Sequence, residues 1–134
     1  ETIPDNPLSE NSRTDFLNSV QKIFLKIERF LDGVADKGVF QKHFKRACIE
    51  KSDTYNFLDP FEGQFNYQDR KIKLDNGVAT EEFVSAIADC LSLTISYIKK
   101  ELPKNVVLPT GLKSEMEMAF KRYPEIANSK LLAF

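Results

Sequence analysis

Between Phe16 and Val34 the apolar residues Leu17, Val20, Phe24, Ile27, Leu31 and Val34 recur at alternating steps of three and four, with Phe16, Ile23 and Phe30 in a second row beside them. The spacing predicts an amphipathic helix whose apolar face is wider than one neighbour covers. One row is assigned to packing within the chain. The surplus row, Phe16, Ile23 and Phe30, is assigned to self-association, which makes a homodimer the expected partner.

Ahead of this helix, residues 1–11 lack periodicity and hold Pro4, Pro7 and several small polar residues, the pattern of a flexible lead-in. Ser12 or Thr14 is the expected cap, Asp15 puts negative charge in the first turn, and Gly33 marks the end. Asp36 is the expected cap of a second helix, on which Val39, Phe40, His43, Phe44, Ala47 and Cys48 share a face. The helical pattern fades after Lys51, and Asp59-Pro60 breaks it.

There the period changes to two. Phe61, Gly63, Phe65 and Tyr67 alternate with polar residues, as do Ile72 and Leu74, so residues 61–75 read as a β-hairpin. A two-residue turn at Asp69-Arg70 sets Tyr67 opposite Ile72 and Phe65 opposite Leu74, placing every apolar side chain on one face. Arg70 fits such a turn poorly, which leaves a longer loop as the alternative. The open edge of the hairpin, with Phe65 and Tyr67, is a second interaction candidate.

Thr80, followed by Glu81 and Glu82, begins a third helix. Val84, Ile87, Leu91, Ile95, Ile98 and Leu102 form its main stripe, and Phe83, Ala86, Ala88, Cys90, Leu93 and Tyr97 widen it until little is polar. This is the central helix and the expected partner of the first; Lys99, Lys100 and Pro103 close it. Thr110 or Ser114 opens a fourth helix carrying Leu112, Met116, Ala119, Phe120 and Tyr123, interrupted by Pro124. Glu125 to Phe134 suggest a last short helix that ends while still apolar, and the first residue is Glu1, so the chain reads as a piece of a longer signalling or regulatory protein. Residues 12–134 are thus expected to form a single domain, mostly α with an α+β element. It is bundle-like, with four to five helices and a two-stranded antiparallel hairpin between the second and third.

Composition narrows the chemistry. A net charge of −1 provides no field for nucleic acid, and no apolar run reaches the roughly twenty residues of a membrane span. Two cysteines, Cys48 and Cys90, both on helices, read as buried thiols in a reducing, cytoplasmic setting. A single histidine and no Cys-x-x-Cys pair argue against a structural metal, five scattered glycines against a phosphate loop, and no nucleophile elbow is present; no cofactor is expected. Phe-rich faces leave an internal apolar-ligand pocket as a weaker possibility.

His43 is the one residue with a reactive precedent. It is followed by Arg46 and Ala47 within HFKRA, which resembles the exposed phosphoacceptor histidine of histidine phosphotransfer domains, with a basic residue at +3 and a small one at +4. The family carries glycine where Ala47 stands, and completes an ordinary bundle where this chain turns to a hairpin. The resemblance implies that His43 accepts a phosphoryl group while Arg46 steadies it. The alternative is a histidine at the rim of an apolar face with a local hydrogen bond. The primary expectation is a non-enzymatic interaction or sensory module acting through helix packing and self-association.

Overall fold

The computed structural model describes the backbone of residues 5–35, 37–59, 61–68, 70–102, 107–123 and 125–126, and the side chains of those from residue 13 onward except Thr110. Among the described residues the order is α1 (Asp5–Val34), α2 (Val39–Lys51), a 3-10 turn (Asn56–Leu58), β1 (Phe65–Gln68), β2 (Lys71–Leu74), α3 (Thr80–Glu101) and α4 (Thr110–Ala119). The chain is therefore mostly helical, with one antiparallel hairpin between α2 and α3.

α1 begins at Asp5, not at Ser12 or Thr14, so the segment expected as a lead-in is helical from that point. Pro7 falls in the first turn, where a helix has no acceptor for an N–H and tolerates the proline ring. The expected caps also move. α2 starts after Gly38, whose φ of 84° is left-handed backbone that favours glycine, and Asp36 lies outside the described residues. α3 is entered from extended Ala79, with Thr80 as its first helical residue and Glu81 and Glu82 in its first turn. Pro60, Pro103, Pro124 and the proposed last helix beyond Ile126 also lie outside the described residues.

The hairpin has the register that its side-chain pattern predicts: Phe65 opposite Leu74, Asn66 opposite Lys73, Tyr67 opposite Ile72 and Gln68 opposite Lys71. It is shorter than 61–75, because Phe61 is 96% exposed and Gly63, at φ 72°, precedes the strand. The turn is tight, and Arg70 adopts φ 63° to make it.

α3 packs most closely on α2, whereas α1 packs on α4 and then on α2. α1 also meets α3 directly, through Phe16 and Phe83, within the shared core. Rings complete the core: Phe16 meets Phe83, Phe120 and Tyr123, and Phe24 meets Phe40, Phe44 and Tyr67. A third group joins Phe57, Phe65 and Phe83 beneath the hairpin. Lys26 pairs with Glu115 across α1 and α4.

Those contacts cover the surplus row of α1. Phe16 and Ile23 are buried, Phe30 is half-buried against the core, and among the described side chains only Val34 of the large apolar positions on α1 is exposed. The row expected to support a dimer is used inside the chain. No described helix is long and apolar enough to cross a membrane.

Candidate functional site

His43 sits on α2 with its ring turned into the α2–α3 seam, only 5% exposed. Its Nε2 lies 3.1 Å from Oε2 of Glu101 at the end of α3, and its Nδ1 is buried without a partner among the described residues. The hydrogen bond from His43 holds the Glu101 carboxyl below its ordinary range; burial opposes this and Lys42, 3.6 Å away, assists. The contact joins the start of α2 to the end of α3.

A phosphoacceptor needs a ring nitrogen that an incoming phosphorus can reach. In His43 one nitrogen is held by a carboxylate and the other is enclosed, and the ring borders a shallow depression with Arg46, Tyr97, Lys100 and Glu101. Its neighbours in the motif are also occupied. The Arg46 guanidinium lies 4.2 Å over the ring of Tyr97 and pairs with Glu50 at 3.7 Å, while Ala47 is fully buried where α2 meets α3. The small residue at +4 serves close helix packing, which explains the local pattern without transfer chemistry.

The cysteines are similarly placed for packing. Cys90 is fully buried, and hydrogen bonding to Cys48 together with burial pushes its thiol well above the ordinary range, away from the nucleophilic thiolate. Among the described residues no cluster of three or more His, Cys, Asp and Glu side chains is arranged to hold a metal ion.

An apolar concavity runs between α2 and β1. Gln41, Phe44, Lys45, Cys48 and Ile49 form its helical wall, Leu58 closes part of its base, and Gly63, Phe65, Asn66 and Tyr67 form the other side. The spacing of the helical residues explains the shape. Gln41, Lys45 and Ile49, one turn apart, make an outer ridge, and Phe44 and Cys48 turn inward to make an apolar floor. Ile49 is 55% exposed, and Lys45 has no ion-pair partner among the described residues. The volume of this open groove is about 230 Å³.

The opposite wall is a strand edge. The two edges of the hairpin differ. On β2, the Ile72 N–H points away from β1 and donates to Oε1 of Gln21 on α1 at 2.9 Å. Since antiparallel pairs alternate between those that exchange hydrogen bonds and those that do not, Tyr67–Ile72 and Phe65–Leu74 are the non-bonded pairs. The 2.7 Å bond from Asp75 N–H to Gln64 C=O agrees with that phase. The N–H and C=O of Phe65 and Tyr67 therefore face outward along β1, toward the α2 groove, and among the described residues they have no hydrogen-bond partner.

The sequence-selected residues thus divide. Phe65 and Tyr67 belong to the groove, but through their backbone edge, since their rings pack inward on Phe44, Phe57, Phe83 and Phe24. Phe16, Ile23 and Phe30 lie elsewhere, on α1. The groove residues that sequence reasoning did not select are Gln41, Phe44, Lys45, Cys48, Ile49, Leu58, Gly63 and Asn66. One signal was present: Ile49 interrupts the otherwise polar ridge Gln41, Lys45.

The chain matches no protein-family model, no curated protein and no solved structure in the three comparisons made, so the functional reading rests on this geometry.

Proposed function

We propose that this domain is a non-enzymatic interaction module that holds a segment of a partner protein in the groove between α2 and β1. One observation carries the reading: an apolar floor lies directly beside a strand edge whose backbone groups at Phe65 and Tyr67 are unpaired among the described residues. A strand edge left open beside apolar surface promotes association unless it is blunted. This edge carries no proline or bulge, and the adjoining ridge adds Ile49 to the exposed apolar surface. The groove holds about 230 Å³, below the roughly 300–1,000 Å³ of pockets that enclose a small molecule, so side chains of a peptide fit it better than a whole apolar ligand.

Selection of random peptides displayed on phage, run on the wild type and on Ile49→Glu, tests the reading. Ile49 is exposed, so the variant keeps the far-ultraviolet circular dichroism of the wild type. Peptides enriched on the wild type are expected to bind Ile49→Glu about tenfold more weakly, the effect of placing a charge on an apolar contact worth about 1.4 kcal/mol. Peptides that bind both proteins equally would place the partner elsewhere and overturn the proposal, as would a selection that enriches nothing.

A further inference from the structure

We infer that the partner segment binds as an added antiparallel strand on β1, and that it presents two aliphatic residues at positions i and i+2 with an acidic residue two positions further along, on the same face; this rests on the groove reading above. The outward N–H and C=O of Phe65 and Tyr67 repeat every second residue, a distance of about 6.8 Å along an extended chain. Another extended backbone meets both pairs at once. A helix keeps its backbone groups to itself and leaves all four unpaired.

The same alternation specifies the side chains. In an antiparallel ladder the residues that exchange hydrogen bonds with Phe65 and Tyr67 stand directly opposite them, with side chains on the same face of the sheet. That face is the one on which Phe65 packs against Phe44, so the two bonding residues of the added strand point to the floor formed by Phe44, Cys48 and Leu58. Aliphatic, β-branched residues suit both the extended backbone and that floor. The intervening residue faces outward with Asn66, which is exposed, and is unrestricted. Charge completes the specification. Lys42 and Arg46 on α2 have carboxylate partners, in Glu101 and Glu50, but Lys45 on the groove ridge has none among the described residues and favours an acidic side chain on the strand beside it.

The test uses the synthetic peptide acetyl-Thr-Val-Thr-Val-Thr-Glu-amide, fluorescently labelled, and reads its affinity for the intact protein by polarisation. N-methylation of both Val amides is expected to weaken binding at least about tenfold, because it removes the donors to Phe65 and Tyr67. N-methylation of the Thr between them should change it less than about threefold. Exchanging Glu for Lys in the peptide is expected to cost about fivefold, and Lys45→Glu should reverse that order. Peptides that need Ile49 but bind equally well with and without methylated Val amides would overturn strand addition while leaving the groove reading in place. Equal affinity for the Glu and Lys peptides would overturn the acidic requirement in the same way. Binding that ignores Ile49→Glu would overturn both proposals. A dimer in sedimentation velocity that the peptide dissociates would give the edge to a second copy of β1 and overturn the inference.

Discussion

The Tyr67 hydroxyl donates a 2.7 Å hydrogen bond to Oε1 of Glu28, a carboxylate only 8% exposed on the buried side of α1. The bond ties the hairpin to the first helix and gives a buried carboxyl group its partner. Burial, then the hydrogen bond to Glu28, raises the Tyr67 pKa well above the ordinary phenol range. Tyr67→Phe leaves the Glu28 carboxylate without that donor, and the expected loss is about 1–3 kcal/mol in urea unfolding. Tyr67→Phe combined with Glu28→Leu should recover part of it, since an apolar pair leaves no unsatisfied group. A single variant as stable as the wild type would show that solvent satisfies Glu28.

Arg13 fixes the base of the hairpin to α1. Its guanidinium donates to the carbonyls of Val78 at 2.6 Å and Asp75 at 2.8 Å, two acceptors on the connection between β2 and α3. Only a fork-shaped donor reaches both at once. Arg13→Ala is expected to cost about 1–2 kcal/mol, and Arg13→Lys to recover less than half of that. Full recovery by lysine, measured by the same unfolding curves, would mean that the charge alone matters.

The tight turn carries strain at Arg70. A non-glycine residue at φ 63° costs about 1–2 kcal/mol, part of which a glycine returns through its greater freedom in the unfolded chain. Arg70→Gly is therefore expected to stabilise the protein by about 0.5–1 kcal/mol, where an ordinary surface substitution to glycine destabilises. A loss of stability would contradict the left-handed turn.

The His43–Glu101 contact sets an acid dependence. The folded Glu101 pKa is lowered below its ordinary 4.5, mainly by the hydrogen bond from His43. A depressed carboxyl pKa contributes stability above the unfolded value and loses it as pH falls through the folded value. The wild type should thus exceed Glu101→Gln in urea midpoint at neutral pH, with the difference shrinking below about pH 4.5. His43→Gln should remove most of the pH-dependent part. A difference that stays constant from about pH 7 to about pH 3 would contradict the assignment.

Period-two alternation made the hairpin register legible, because a slip of one residue would have turned Phe65, Tyr67, Ile72 and Leu74 to solvent. The buried face of α2, Val39 to Cys48, was equally legible from its helical spacing. Two features were not. Side-chain periodicity says which face of α1 is buried but not what buries it, and α4 covers Phe16 by way of Phe120 and Tyr123. Proline near a helix start gives the same local signal as a breaker, so Pro7 hid the first turn. The groove was partly visible. Phe65 and Tyr67 stood out as an open edge, but which edge is free depends on Gln21 of α1 capping Ile72, a contact across the fold that no local pattern encodes.

Amide hydrogen exchange along β1, followed by NMR with and without the Val-Thr-Val peptide, tests the central claim most directly. In the free protein the Phe65 and Tyr67 amides should exchange fast, with Asn66 and Gln68 slow because they pair with Lys73 and Lys71. Saturating peptide should slow Phe65 and Tyr67 at least about tenfold and leave Asn66 and Gln68 nearly unchanged. Peptide binding that leaves Phe65 and Tyr67 as fast as before would contradict strand addition at this edge.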